Sequence, residues 1–226
     1  MKNKIILISI LFVGAYSLQS CSKSNNDTAR LETDSSMSHM AHTDPSHSGA
    51  KQMDHPSMHS MIGTMAKMDT LKMTGDYDLD FVNMMIIHHQ AAIAMSEVEV
   101  INGIDAKIKT MAQNIITAQR AEINQMEQFA KNYKMPKTKS DMSEMHNEFS
   151  EMMREMRDSM KNMHMSGNVD KDFVMMMIPH HETAVTMAEA ELKHGNQSQV
   201  KKMAKKMIID QTKEITEFKA WLSALK

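Results

Sequence analysis

The sequence predicts an all-α protein, in which an internal duplication builds a four-helix bundle with additional Met-rich helices. The first observation is composition: 226 residues include 29 Met but only 7 Gly and 4 Pro, which argues against a β-sandwich or a barrel. The second is a long segment that starts at Asp80 and recurs from Asp172. The third is the helical period of the apolar residues in both copies.

The first 20 residues have the pattern of a secretory signal peptide. Lys2 and Lys4 precede an apolar run over residues 5–16, which is too short to predict a transmembrane helix. Residues 18–21, Leu-Gln-Ser-Cys, resemble the bacterial lipobox, in which the Cys is lipidated after cleavage. We therefore expect a lipoprotein anchored through Cys21 to a bacterial membrane and facing the periplasm or the exterior. The alternative is an ordinary signal peptide with a chance Cys.

A single Cys also limits the chemistry of the chain. It excludes an intrachain disulfide and any Cys-based zinc or iron–sulfur site. If Cys21 is lipidated, the mature chain has no thiol, so ligands for a soft metal must come from other side chains. The formal net charge of −2 provides no basic field, and no nucleic-acid partner is expected.

Residues 21–60 have the composition of a flexible tether. Small polar residues dominate, and no apolar period is visible. His and Met are interleaved in this segment, and biased His tracts are metal-binding candidates by composition. The candidate ligands of the tail are His39, Met40, His42, His47, Met53, His55, Met58 and His59. The alternative is a solvated spacer whose His residues are incidental.

The remainder of the chain is predicted to hold two repeats, 61–133 and 142–226, which together form one helical bundle domain. The match between them runs without a gap from Asp80 and Asp172 through the two His-His pairs, and it extends to Phe129 and Trp221. Two copies indicate an internal duplication and not a solenoid array.

Each repeat is predicted to contain three helices. The predicted bounds are 61–72, 79–101 and 105–133 in the first copy, and 142–164, 171–193 and 197–225 in the second. Gly75 and Gly167 stand where the first helix should stop. The acids Asp78, Asp80, Asp170 and Asp172 offer N-caps or first-turn charges for the second helix. The second and third helices of both copies supply the four long amphipathic segments of the bundle.

The helical period places one His of each pair at the centre of an apolar face. Met84, Met85 and Met95 flank His88, and His89 falls at the edge of the same face. The second copy repeats the arrangement with Met176, Met177, Met187, His180 and His181. Glu122 and Glu214 point inward from the third helices and are expected beside these His residues, behind the ligands.

Thioether sulfur is a soft ligand and imidazole a borderline one, so together they select Cu(I) or Ag(I) over harder ions. The abundance of Met supports ligation over packing, because Leu fills a core as well and specifies it better. The alternative is a structural His–Glu hydrogen bond within each repeat. For the stripe Met152, Met156, Met160 and Met163 of the helix over 142–164, ligation and packing both stay open.

The motif Phe-x-x-Met-Met-Ile-x-His-His, present from Phe81 and again from Phe173, resembles the signature of the bacterial DUF305 proteins. The resemblance covers both repeats. It implies a ferritin-like four-helix fold, periplasmic copper binding linked to copper resistance, and Met/His copper sites at His88, His89, His180 and His181. Ile87 departs from the usual Pro of the family, which the second copy keeps as Pro179. A kink is therefore expected before His180 but not before His88.

The function predicted from these patterns is a copper-binding envelope lipoprotein that sequesters Cu(I), or passes it to a copper exporter or a copper carrier protein. One alternative is a ferritin-like di-iron oxidase, which needs Glu-x-x-His motifs, but Met85 and Met177 occupy the Glu positions. Another is a helical interaction module without metal. No catalytic triad, phosphate loop or paired catalytic carboxylate is recognisable, so no enzyme is expected.

Overall fold

The computed structural model describes residues 56–136 and 143–225. Every element in this part of the chain is an α-helix. They are α1 Pro56–Asp69, α2 Tyr77–Asn102, α3 Ala106–Asn132, α4 Ser143–Lys161, α5 Val169–His194 and α6 Ser198–Ala224. None of the helices described is long and apolar enough to cross a membrane. The predicted signal peptide, Cys21 and the tail candidates His39, Met40, His42, His47, Met53 and His55 lie outside the described residues.

The four long helices begin and end within a few residues of the predicted bounds, but α1 does not. It begins at Pro56, so its first turn occupies the end of the segment predicted as a tether. Proline suits the start of a helix because its missing N–H has no intrahelical partner there. Met58, predicted as a tail ligand, lies in the core with 4% of its surface exposed, whereas His59 is exposed, and the role of both as ligands stays a prediction.

The helices pack as two hairpins, α2–α3 and α5–α6, that meet through α2 and α5. Within each repeat, α2 packs against α3 and α5 packs against α6, and α2 against α5 is the main contact between the repeats. The Met-rich helices α1 and α4 pack on α2 and α5 respectively. The predicted all-α bundle from an internal duplication, with additional Met-rich helices, is therefore confirmed.

Methionine dominates the apolar core. The buried methionines of the described residues are Met58, Met61, Met65, Met68, Met84, Met85, Met95, Met111, Met126, Met153, Met156, Met163, Met176, Met177, Met187, Met203 and Met207. They contact a smaller set of aromatic residues that includes Phe81, Phe173 and Phe218. Because Met is unbranched and flexible, it fills the irregular space between helices that meet at two different interfaces.

The turn before each central helix is held by an aspartate of that helix. Asp80 accepts hydrogen bonds from the backbone N–H groups of Thr74 and Gly75, at 2.7 and 3.1 Å. Asp172 accepts the equivalent bonds in the second repeat. Gly75 and Gly167 have φ angles of 93° and 80°, which glycine adopts without strain. These glycines therefore serve the turn before α2 and α5 and do not cap α1 and α4.

A second pair of aspartates joins the two repeats, and we call these contacts the clasps. Asp78 of α2 accepts hydrogen bonds from the backbone N–H groups of Asn196 and Gln197, just before α6. Asp170 of α5 accepts the reciprocal bonds from Ile104 and Asp105, just before α3, at 2.9 and 2.8 Å. A carboxylate is favoured at a helix N-terminus by the helix dipole. Each repeat therefore anchors the last helix of the other.

Candidate metal centre

The two inward histidines, one from each repeat, meet in the middle of the bundle. The ring centroids of His88 and His180 are 3.7 Å apart, with the ring planes inclined by 33°. Their exposed fractions are 1% and 0%. The helical period predicts that each ring points inward, and the packing of α2 against α5 brings the two rings to one place.

Both rings lack hydrogen-bond partners. Neither the Nδ1 nor the Nε2 atom of His88 or of His180 has a partner. A buried polar group left without a partner costs about 1–3 kcal/mol, so an arrangement with four such atoms needs a reason. A neutral imidazole has one nitrogen with a free lone pair, so the two rings offer two donor atoms that no hydrogen bond occupies, as metal ligation requires.

The protonation state of the two rings also suits metal binding. Burial lowers the pKa of His88 well below its ordinary value, and the neighbouring rings of His89 and His181 add to the effect. Burial likewise lowers the pKa of His180, with His88 as the next contributor. Both imidazoles are therefore neutral at pH 7, and a neutral imidazole is the form that binds metal.

The methionines predicted as neighbours of the two histidines are all buried. Their exposed fractions are 4% for Met84, 0% for Met85, Met95, Met176 and Met177, and 2% for Met187. On each helix they stand four and three residues before the inward His and seven after it, which is one helix face. The donor set consists of imidazole nitrogens and thioether sulfurs, and this chemistry fits Cu(I) or Ag(I).

The second His of each pair turns toward the third helix of its own repeat. His89 Nε2 lies 2.9 Å from Glu122 Oε2 and forms a hydrogen bond with it. His181 Nε2 lies 2.8 Å from Glu214 Oε2, although the atoms are not aligned as a hydrogen bond. The expected His–Glu pairs therefore exist, but they use His89 and His181 and leave His88 and His180 free of them. The Nδ1 atoms of His89 and His181 have no partner, and the role of these two residues as ligands stays a prediction.

His89 was expected at the edge of the apolar face, yet both second histidines are fully buried. The reason is that α3 and α6 cover this edge of α2 and α5. Periodicity along one helix shows where a side chain points, but not how wide a face the neighbouring helices cover.

A lysine distinguishes the first His–Glu pair from the second. Lys206 of α6 donates to Glu122 Oε1 at 3.1 Å and also pairs with Asp210. Burial raises the pKa of Glu122, but the hydrogen bonds from His89 and Lys206 outweigh it, and the net shift is downward. Glu122 is therefore an ionised partner that orients the His89 ring. Lys206 lies 84 residues from Glu122 in the sequence, and no local pattern signals their contact.

Two further buried acids, which sequence reasoning missed, lie beside the aspartates of the clasps. Glu99 and Glu191 are 0% exposed. Burial, reinforced by Asp170, raises the pKa of Glu99 to about 8. Burial, reinforced by Asp78, raises the pKa of Glu191 to about 9. Both are therefore protonated at neutral pH, and their recurrence at equivalent positions of the two copies is the signal that could have found them.

Among the described residues, no three His, Cys, Asp or Glu side chains gather as a group that could hold a metal ion. The carboxylates nearest the His-His motifs, Glu122 and Glu214, are engaged by His89 and His181. The side chains that meet at the centre are the imidazoles of His88 and His180, and the buried methionines lie on the same helix faces. The site therefore offers soft and borderline donors.

Fold and site together define a duplicated helical bundle with a buried imidazole and thioether centre. The sequence profile of the family described as "Domain of unknown function (DUF305)" matches residues 19–130 and 78–222. These two matches cover most of the chain, and the protein belongs to the DUF305 family.

Solved structures of similar fold include CopM in several metal-bound forms. The Ag-bound form of CopM is 28% identical and has a TM-score of 0.50, covering 65% of this chain and 96% of CopM. The Cu(I)-bound form is 27% identical with the same TM-score, covering 66% and 96%. A DUF305 protein from Streptomyces coelicolor is 21% identical, with a TM-score of 0.54 and coverage of 67% and 95%, and it supports the fold. A comparison with curated proteins found no match.

Proposed function

We propose that this protein binds copper as Cu(I) at the interface of its two repeats. The observation that carries the proposal is the pair His88 and His180, whose four ring nitrogens are buried without partners. The buried methionines on the same helix faces add soft donors. The crystal structures of CopM with Ag, Cu(I) and Cu(II) support the same class of metal.

The proximity of the rings favours one shared ion over one ion per repeat. The centroids of His88 and His180 are only 3.7 Å apart. Two unit charges about 4 Å apart repel by about 4 kcal/mol at an effective dielectric constant of about 20. A single monovalent ion held by both rings avoids this repulsion. The central site is therefore proposed to take one Cu(I), with each repeat contributing half of the ligands.

The biological role proposed is sequestration of copper in the cell envelope or its delivery to an exporter or carrier, as part of copper resistance. The signal-peptide pattern and the lipobox at Cys21 support a lipid-anchored location outside the cytoplasm. A binding role without catalysis fits the centre, since it holds donors for an ion but no acid–base pair poised for a substrate. The di-iron alternative requires free carboxylates beside the histidines, whereas Glu122 and Glu214 face His89 and His181.

The test is an anaerobic Cu(I) titration of the mature chain against a competing chelator. We expect His88→Asn/His180→Asn to lose one Cu(I) equivalent, because both imidazoles of the shared site are removed. His164→Asn provides the control, since His164 is exposed and belongs to neither His-His motif. Helix content measured by circular dichroism shows whether the variants fold. Unchanged Cu(I) binding by a folded double variant would overturn the proposal.

A further inference from the structure

A cleft opens between α4 and α5, beside the proline that precedes His180. Its volume is about 200 Å³. The residues that line the cleft include Met152, Glu155, Met156, Pro179, Glu182 and Thr183. α5 runs without a break through Pro179, whose carbonyl accepts a hydrogen bond from the Thr183 hydroxyl at 3.0 Å.

We propose that this cleft is a second site for a soft monovalent cation, Cu(I) or Ag(I), distinct from the central histidine pair. The thioethers of Met152 and Met156 are the ligands, and the carboxylates of Glu155 and Glu182 balance the charge. Thioether sulfur selects soft ions, and it binds them without losing a proton.

The two methionines occupy the border between core and solvent. They are four residues apart on α4, so they lie on one face of the helix. Met156 is 3% exposed and Met152 is half-buried. A thioether at this depth is reachable from solvent through the cleft while its stem packs on the core.

The charged side chains around the cleft leave a net negative charge that one monovalent cation would balance. Glu155 and Glu182 line it, and Lys219 Nζ lies 2.7 Å from Glu182 Oε1. Arg154, the sequence neighbour of Glu155, is already paired with Glu151 and Asp158. Two carboxylates and one ammonium group leave one negative charge, which a bound monovalent cation neutralises.

The first repeat lacks every one of these donors. The equivalents of Met152, Glu155, Met156, Pro179 and Glu182 are Ser60, Gly63, Thr64, Ile87 and Gln90. The Thr64 hydroxyl donates to the carbonyl of Ser60 at 2.9 Å, inside its own helix. A requirement of packing would apply to both repeats, because both place a Met-rich helix on the central one. Two thioethers and two carboxylates that occur together in only one repeat point to a ligand.

The methionines of α4 and of the segment directly after it divide into two groups. Met152 and Met156 line the cleft, whereas Met153 and Met163 are 2% and 8% exposed in the core and do not line it. The side chain of Met160 lies outside the described residues. The second group provides a matched control, since its substitution also removes two thioethers, one from α4 and one from the segment directly after it.

The experiment is an Ag(I) titration of the mature chain labelled with ¹³C on the methionine methyl groups. We expect the methyl signals of Met152 and Met156 to shift together along one saturation curve. Met152→Leu/Met156→Leu should lose one Ag(I) equivalent, because Leu preserves the volume but removes the sulfur. Met153→Leu/Met163→Leu should retain it. Zn(II) in place of Ag(I) should leave the Met152 and Met156 signals unmoved.

The cleft site would be overturned if the two double variants bound Ag(I) with identical stoichiometry. It would also be overturned if the methyl signals of Met152 and Met156 did not change on addition of Ag(I). The ring signals of His88 and His180 report the central site in the same titration, so failure of either site is seen separately. Glu155→Gln/Glu182→Gln should weaken Ag(I) binding to the cleft. An unchanged affinity in that variant would remove the carboxylates from the proposal.

Discussion

At the scale of single residues, the central histidines combine a favourable position for binding with an unfavourable one for stability. We expect His88→Leu to raise the unfolding free energy of the metal-free protein by about 1 kcal/mol, because it removes two buried nitrogens that have no partner. The same variant should lose the stabilisation that Cu(I) gives the wild type. Urea unfolding with and without Cu(I) measures both effects. A large loss of stability without metal would show that the imidazole holds the core.

The inward direction of His88 could be predicted from sequence because side-chain direction follows the helical period. The partner across the interface could not, because periodicity does not say which helix packs opposite. His180 comes opposite His88 only through the packing of α2 on α5. Lys206 shows the same limit, since its contact with Glu122 joins two repeats and leaves no trace in the local pattern.

At the scale of elements, the ends of the central helices depend on close backbone approach. A Cβ atom added to Gly103 would lie 2.0 Å from Glu99 Oε1, and the equivalent contact recurs between Gly195 and Glu191. We expect Gly103→Ala to destabilise the protein by about 1–3 kcal/mol through overpacking. Thermal unfolding of the variant measures the effect.

Gly63→Ala is the matched control, because it lies within α1 with nothing near the added Cβ. This change should be neutral or stabilise the protein by up to about 1 kcal/mol, since Ala is the better helix former. If both variants lost the same stability, the fit of Glu99 against Gly103 would not be the cause. The long helices were predictable from period alone, but this fit depends on a side chain folding back over its own helix end.

At the scale of the whole molecule, the buried acids make the union of the two repeats sensitive to pH. The pKa values of Glu99 and Glu191 rise from 4.5 to about 8 and about 9. Their protonated forms are favoured in the folded state, so the stability they contribute is complete below about pH 4.5 and declines as pH rises to 8–9. Above that range two further negative charges are buried beside Asp170 and Asp78.

We expect the urea unfolding midpoint to fall as the pH rises from about 5 to about 10, the range in which both acids titrate. The variant Glu99→Gln/Glu191→Gln should show a flatter profile, because the amide does not titrate. Asp105 and Lys109 near Glu99, and Asp76 and Lys201 near Glu191, are present in both proteins, so their effects cancel in the comparison. Parallel profiles for the variant and the wild type would assign the pH dependence to other groups.

The duplication made the symmetry of the bundle predictable, whereas its asymmetries were not. Equivalent residues in the two copies predicted equivalent helices, turns and inward histidines, and the structure shows them in both repeats. The bond from Lys206 to Glu122 and the donors of the α4–α5 cleft belong to only one copy each. The Lys206 contact arises where a residue of one repeat meets a side chain of the other, whereas the cleft arises from several substitutions within the second repeat, and only the folded chain brings these residues together.

The reciprocal clasps have a consequence for the organisation of the chain. Asp78 holds the start of α6 and Asp170 holds the start of α3, so the same residue type performs the same task in both directions. Reciprocity of this kind defines an isologous interface, the arrangement by which identical subunits pair about a twofold axis. The present protein therefore has the arrangement of a homodimer whose two subunits are joined in one chain. Because they are joined, His88 and His180 meet at any protein concentration, and each half is free to diverge.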